Sequence, residues 1–199
     1  LQSNMGANSG VLLQETDVDE LCAETGFSPR QINRLFQRFK HLDKRNCGEL
    51  SKEDLLSIPE VNINPLGERL VDVMIEDYGT DDDEQTINFR DFVHILATFK
   101  SLGRKRTPSD TAPFCSKENK LRFLFNLYDR NHDDKIDKDE LVDILKMMVG
   151  GNIEESLVEN IASQTISELD KDGDRAITFG EFCETLSRID LDSRMSMKF

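Results

Sequence analysis

Two acidic twelve-residue segments, 129–140 and 170–181, restrict the fold of this chain more than any other feature of its sequence. In each segment, side chains that carry oxygen recur at alternate positions, and a glutamate stands last. These residues are Asp129, Asn131, Asp133, Asp137 and Glu140, and then Asp170, Asp172, Asp174, Thr178 and Glu181. Because crowded carboxylates repel one another, each segment indicates a loop that surrounds a cation.

The spacing of these residues matches the ligand requirements of Ca²⁺. This hard cation takes six to eight oxygens, and a twelve-residue loop supplies them from positions 1, 3, 5, 7, 9 and 12. Position 7 contributes a backbone carbonyl, so Lys135 and Ala176 join the two ligand sets. Thr178, at position 9, is expected to act through a water. We therefore predict two Ca²⁺ ions, one in each loop.

Position 6 departs from the usual pattern in both loops. A glycine normally stands there because the backbone turns with positive φ, whereas this chain has Asp134 and Arg175. Asp tolerates that conformation, and Arg is expected to lose about 1–2 kcal/mol. We expect binding to persist, with a Kd between ~10⁻⁸ and ~10⁻⁵ M.

Helical patterns flank both loops. Apolar residues share one helical face before each loop and recur at helical spacing after it. Before the third loop this face consists of Leu121, Leu124, Phe125 and Tyr128. Before the fourth loop it consists of Ile161, Thr165, Ile166 and Leu169. A helix, an acidic loop and a second helix make an EF-hand, and the loops of two further copies begin at Asp43 and Thr80. The sequence predicts an all-α protein with four helix–loop–helix units in two paired lobes.

Capping boxes mark several predicted helix starts. Ser28 with Gln31, Asn152 with Glu155 and Thr178 with Glu181 each place a capping side chain three residues before a glutamate or glutamine. Pro29 favours the first position of the helix that follows Ser28.

The first two loops are predicted to hold no Ca²⁺. In the first, Arg45 and Cys47 replace oxygen ligands, and Asp54 is too short to chelate from position 12. The second has Thr80 at position 1 and Asp91 at position 12, so we interpret its acidic run at 81–84 as solvated. Both loops keep an apolar residue at position 8, Leu50 and Ile87, which predicts that they pair with each other.

The predicted organisation has four parts. Residues 1–15 are expected to be a flexible N-terminus, with 1–4 a remnant of an expression vector ahead of Met5. Residues 16–99 form the N-terminal EF-hand pair, 100–117 the linker, and 118–199 the C-terminal pair with both Ca²⁺ loops. The basic run 104–106 is interpreted as solvated linker, with nuclear localisation as the alternative.

Charge and composition exclude several classes of function. A net charge of −14 argues against nucleic-acid binding, which needs a basic face. The four cysteines form no C-x-x-C pair. The three histidines lack catalytic spacing, and no phosphate-binding glycine loop or nucleophile motif is present, so we do not expect an enzyme. No apolar run is long enough for a transmembrane helix.

Particular stretches resemble the calcineurin B homologous proteins. They are residues 24–28, 63–69, 87–90, 147–150 and 195–199, and the resemblance covers the chain from Met5. The two degenerate loops separate this chain from calcineurin B itself, whose four loops all bind Ca²⁺. The resemblance implies a partner of plasma-membrane Na⁺/H⁺ exchangers that holds their cytoplasmic juxtamembrane helix in a hydrophobic groove, supporting exchanger activity and surface delivery. It also implies inhibition of calcineurin and association with microtubule and secretory-traffic proteins.

Groove, lipid and location follow from the same resemblance. Leu145, Met148 and Leu186 are predicted to line the groove. Family members are N-myristoylated, which points to Gly6, although Ser9 stands one residue early for the usual motif. The implied location is cytoplasmic and peripheral at the plasma membrane, through the partner or a myristoyl chain, with nuclear–cytoplasmic shuttling. Two alternatives stay open: a phosphatase regulatory subunit like calcineurin B, and a Ca²⁺ buffer.

Overall fold

The computed structural model describes residues 13–79, 85–100, 114 and 116–186. These residues form ten α-helices and four two-residue strands, so the predicted all-α class is confirmed. The N-terminal elements are α1 (Glu15–Thr25), α2 (Pro29–Leu42), β1 (Glu49–Leu50), α3 (Lys52–Leu56), α4 (Pro59–Asn62), α5 (Gly67–Tyr78), β2 (Ile87–Asn88) and α6 (Phe89–Thr98). The C-terminal elements are α7 (Lys117–Tyr128), β3 (Lys135–Ile136), α8 (Lys138–Val149), α9 (Glu155–Leu169), β4 (Ile177–Thr178) and α10 (Phe179–Leu186).

The N-terminal pair joins its two loops through a short antiparallel sheet. β1 pairs with β2, and Leu50 lies opposite Ile87, which confirms the predicted pairing at position 8. Helix α2 begins at the predicted capping box, in which Ser28 and Gln31 bond each other's backbone N–H. The sequence did not predict α1, which packs on α2 and α6 and buries Leu21.

The C-terminal pair repeats this arrangement. β3 pairs with β4, so Ile136 lies opposite Ile177. Helix α9 begins later than predicted, because a 3₁₀ turn occupies Gly150–Asn152 and Glu154 becomes the residue that precedes the helix. The Asn152 capping box was therefore wrong.

The face that helix α9 turns to the core overlaps the predicted apolar face only in part, since Ile166 and Leu169 pack in the C-terminal core. Its buried residues are Val158, Ala162 and Ile166, which recur every fourth residue on one face. Ile161, which the sequence placed on the apolar face of this helix, is 44% exposed. Each residue turns an α-helix by about 100°, so one position from Ala162 is enough to leave that face.

Helix α7 contributes to two hydrophobic cores at once. Leu121 and Phe125 pack in the C-terminal core, whereas Phe123 and Leu127 pack in the N-terminal core. The rings of Phe123 and Phe99 meet edge to face with centroids 5.0 Å apart. The two EF-hand pairs are therefore packed directly on one another through α7.

Close backbone packing surrounds the start of α5. A Cβ atom added to Gly67 would lie 2.0 Å from the carbonyl oxygen of Val61 in α4. Only glycine allows the two short segments to approach this closely. Among the described helices, none is long and apolar enough to cross a membrane.

Candidate calcium-binding loops

The third loop is closed at its start by Asp129. This buried carboxylate accepts backbone N–H bonds from Asp133 at 3.3 Å and Asp134 at 3.1 Å. The Asn131 side-chain oxygen accepts the same Asp133 N–H at 2.9 Å. Asp134 has a φ of 63°, so the left-handed turn predicted for position 6 is present without glycine. Three predicted ligands therefore lie around one turn of backbone.

Glu140 ties the end of the third loop to its beginning. One carboxylate oxygen accepts the N–H groups of Arg130 and Asn131 at 2.9 and 3.1 Å. The other oxygen accepts the Asp137 N–H at 3.1 Å, while Asp137 caps α8 by accepting the Glu140 N–H at 2.8 Å. The last predicted ligand thus joins the entrance of the loop to the helix that leaves it.

The fourth loop has the same architecture. Asp170 accepts N–H bonds from Gly173 at 2.7 Å and Arg175 at 2.8 Å. Asp172 accepts the Asp174 N–H at 3.1 Å. Arg175 has a φ of 70°, the conformation for which the sequence predicted a cost.

Glu181 closes the fourth loop as Glu140 closes the third. It accepts the Lys171 N–H at 2.6 Å with one oxygen, and the Thr178 N–H and hydroxyl, each at 2.8 Å, with the other. The Lys171 and Thr178 backbone N–H groups lower the pKa of Glu181, which favours its ionised form. The Thr178 hydroxyl oxygen in turn accepts the Glu181 N–H at 3.4 Å, as the sequence-predicted capping box requires.

The residues of the fourth loop fit a calcium ion. One carboxylate oxygen from each of Asp170, Asp172 and Asp174 lies within 4.8 Å of the other two. Within the part of the chain that the structure describes, this is the one trio of His, Cys, Asp or Glu side chains brought together in this way. Charged, hard oxygen donors at this density suit Ca²⁺ rather than a softer metal.

The first loop has the same hydrogen bonds around its position-1 aspartate, but a side chain of the loop itself lies at a ligand position. Asp43 accepts the N–H groups of Cys47 at 3.1 Å and Gly48 at 2.8 Å, and the Cys47 thiol lies 3.7 Å from the same carboxylate. A thiol therefore occupies the place of a ligand oxygen. The carboxylate of Asp54, at position 12, accepts only from Ser51 among the hydrogen bonds found in the described residues, from the Ser51 N–H at 3.1 Å and the Ser51 hydroxyl at 2.8 Å.

The contrast between Asp54 and Glu140 is one of reach. Both accept a backbone N–H from the residue that caps the exit helix. Glu140 is one methylene longer and its second oxygen also spans the loop, whereas Asp54 remains at the helix start. Most of the second loop, residues 80–84, lies outside the described residues. Gln85, at position 6, has a φ of 44°. At position 12, burial raises the pKa of Asp91.

Sequence reasoning missed Arg69, which connects α5 to the third loop. Its guanidinium donates to three carbonyls at the end of α7, those of Asn126 at 2.6 Å, Leu127 at 3.2 Å and Asp129 at 3.1 Å. It also pairs with both oxygens of Glu76, at 3.1 and 3.0 Å. The available signal was an arginine within the apolar pattern of α5, because charged residues are rarely buried unless paired.

An apolar cavity in the N-terminal pair was also missed. It has a volume of ≈ 360 Å³. Helices α2 to α6 line it, mainly with Leu55, Ile58, Val71, Met74, Phe92, Ile95 and Leu96. Val61, Arg38 and Glu60 complete the lining, and the side chains of Arg38 and Glu60 approach each other to 3.7 Å. The cavity therefore has an apolar floor with one ion pair on its wall.

The three predicted groove residues lie in the C-terminal pair. Leu145 and Leu186 are half-buried and pack against the C-terminal core. Met148 is 50% exposed. Other exposed large apolar residues of this pair are Met147, Ile153, Leu157 and Ile161. Gly6, the predicted lipidation site, lies outside the described residues.

Comparisons with known proteins agree with this architecture. A model of the EF-hand domain pair matches residues 118–187, the segment that contains both acidic loops. The calcineurin B protein of Naegleria gruberi is 37% identical over 194 residues, which cover 98% of this chain and 99% of that protein. The similarity to that relative includes both EF-hand pairs.

Proposed function

Because the chain belongs to the calcineurin B family of EF-hand proteins, which are Ca²⁺-binding regulatory proteins, we propose that it holds an amphipathic helix of a partner protein in an apolar groove. The EF-hand family is not catalytic. In this proposal the chain therefore acts by binding a partner protein.

We assign Ca²⁺ to the third and fourth loops, one ion in each. When bound, the ion neutralises the carboxylates that crowd each loop. The observation that carries this assignment is the reach of Glu140 and Glu181, which join loop entrance and exit helix. Asp54 makes no such connection among the hydrogen bonds found in the described residues, so the N-terminal loops serve as a structural pair.

The cavity of the N-terminal pair supports the groove. A partner helix buries an apolar stripe of residues spaced by three or four, and a cavity of ≈ 360 Å³ accommodates one or two large side chains of such a stripe. The exposed apolar side chains of the C-terminal pair, Met148 among them, offer a second area of contact. A net charge of −14 favours a partner helix with a basic polar face.

For the partner, we propose the cytoplasmic juxtamembrane helix of a Na⁺/H⁺ exchanger. The degenerate first loop supports this choice, because its Cys47 thiol and short Asp54 depart from a four-site calcineurin B. In this proposal the protein is cytoplasmic and peripheral at the plasma membrane. A myristoyl chain on Gly6 would supply only marginal anchoring, so the exchanger provides the second contact.

The catalytic subunit of calcineurin is the second candidate partner. The 37% identity to a calcineurin B protein over 98% of this chain favours it. Co-purification from cells, followed by identification of the bound chain, separates the two candidates. Recovery of an exchanger supports the first and recovery of a phosphatase supports the second.

The groove is tested by titrating an exchanger juxtamembrane peptide and a calcineurin helix peptide against three variants. Met74→Glu and Leu96→Glu place a charge in the cavity lining and should weaken binding at least tenfold. Ile63→Glu is the matched control, because Ile63 is 81% exposed and does not line the cavity. Ca²⁺ binding without affinity for either peptide would favour a Ca²⁺ buffer and refute the groove.

A further inference from the structure

A lysine of the third loop contacts a predicted ligand of the fourth. Lys135 stands at position 7 and offers Ca²⁺ only its backbone carbonyl, so its side chain is free for another contact. The antiparallel β3–β4 pair carries that side chain across to the neighbouring loop. There its ammonium donates to the Asp174 carboxylate at 2.7 Å.

Asp174 is therefore engaged through both oxygens. One accepts from Lys135, and the other accepts the Ala176 backbone N–H at 2.9 Å. The ammonium lowers the pKa of Asp174, and the carboxylate raises the pKa of Lys135. The fourth loop carries four acidic residues at ligand positions, and the ammonium offsets one of those charges before any cation arrives.

In the part of the chain that the structure describes, no ammonium of the fourth loop contacts a predicted ligand of the third. The residue at position 7 of the fourth loop is Ala176, which carries no charge toward the third loop. Asp133, the position-5 ligand there, is bonded by the Asn131 side-chain amide at 3.2 Å and the Lys135 N–H at 3.0 Å. Among these contacts, only the fourth loop receives an ammonium from its neighbour.

We infer that Lys135 competes with Ca²⁺ for Asp174 and so makes the fourth loop the weaker of the two sites. This inference rests on the proposed assignment of Ca²⁺ to that loop. The Lys135 ammonium lies only 2.7 Å from a ligand oxygen of Asp174. When Ca²⁺ binds there, the ammonium must either be displaced or remain beside a doubly charged cation, which repels it. The third loop is spared this competition, so the two ions differ in affinity through one side chain.

The test isolates the fourth loop by placing each variant in a Glu140→Gln background and measuring Ca²⁺ binding by calorimetry. Lys135→Met should lower the Kd of the fourth loop about tenfold, a change of about 1.4 kcal/mol. Lys135→Arg keeps the charge and should stay within about twofold of the parent. The ion pair is partly exposed, with side chains 47% and 29% accessible, so its loss should leave folding intact.

Lys171→Met is the matched control. Lys171 lies in the fourth loop itself, at a non-ligand position, and its ammonium pairs with Glu184 rather than with a predicted ligand. Equal tightening in Lys135→Met and Lys171→Met would assign the effect to net charge and overturn the inference. An unchanged Kd in Lys135→Met would also overturn it while leaving the fourth-loop Ca²⁺ site intact. A fourth loop that takes up no Ca²⁺ in any of these variants would overturn both the inference and the site assignment.

Discussion

The substitution Arg69→Met removes a buried guanidinium that joins the two EF-hand pairs. Helix α7 ends at Tyr128, and its last carbonyls lack partners within the helix. Arg69 supplies N–H donors to the carbonyls of Asn126, Leu127 and Asp129. Its positive charge also complements the negative end of the helix dipole. Methionine keeps the length and apolar character of the stem but removes every one of these donors.

The magnitude follows from the number and burial of the lost bonds. A hydrogen bond to a charged group contributes about 1.5–3 kcal/mol, but bonds of one side chain are not additive. Removing one partner of a buried charged pair costs about 3–5 kcal/mol, because the other groups remain buried and unpaired. Arg69 is 7% exposed and its partner Glu76 is partly buried. We expect a loss of about 3–5 kcal/mol, a large part of the stability of an ordinary domain.

The assay is urea unfolding followed by far-ultraviolet circular dichroism, in EDTA so that Ca²⁺ binding does not contribute. Arg38→Met is the control, because Arg38 makes an exposed ion pair with Glu60 at 3.7 Å and should lose less than about 1 kcal/mol. If Arg69→Met lost no more than Arg38→Met, the guanidinium would not be holding α7. In a separate titration without EDTA, the third loop of Arg69→Met should also bind its ion more weakly, because Asp129 loses a contact.

Three further predictions concern the loops and the packing around them. The double variant Glu140→Gln, Glu181→Gln should abolish Ca²⁺ binding in calorimetry. The double variant Asp54→Asn, Asp91→Asn should leave the number of bound ions unchanged. Residual stoichiometric binding in the first double variant would refute the ligand assignment. Gly67→Ala should lower the free energy of unfolding by about 1–3 kcal/mol, since its Cβ would overlap a carbonyl oxygen of α4 at 2.0 Å; an unchanged urea midpoint would contradict the close approach. Burial raises the pKa of Asp91 above its usual 3.8, which makes the ionised carboxylate less stable in the folded chain than in the unfolded chain. Asp91→Asn alone should therefore raise stability slightly at pH 7 and lose that advantage below pH 3.8, which urea titrations at the two pH values would measure.

Local patterns predicted the loops well because the information lies within twelve residues. The antiparallel contact of Leu50 with Ile87 followed from one apolar position in each loop. The positive φ of Asp134 and Arg175 followed from the turn that a Ca²⁺ loop needs at position 6. In each case a short segment carries both the signal and the structure.

Contacts between distant segments were not predictable in the same way. The Arg69 guanidinium meets carbonyls almost 60 positions later in the chain, at Asn126 and Leu127. The Lys135 side chain meets Asp174 only because two short strands pair. The exposed position of Ile161 likewise depends on which side of α9 faces α8 and α10, and helical periodicity alone does not determine that side.

The double role of α7 bears on what happens when the chain is divided between its two halves. A fragment that ends before α7 retains Phe99 but loses Phe123, the ring that covers it, and also loses Leu127 from its core. The complementary fragment begins with a helix that still carries those two apolar side chains and has nothing left to bury them. Each fragment thus exposes apolar side chains that the other fragment covers in the intact chain. When the two fragments are mixed, they should associate into one complex. Cleavage between the halves should therefore yield two fragments that bind each other rather than two independently folded domains.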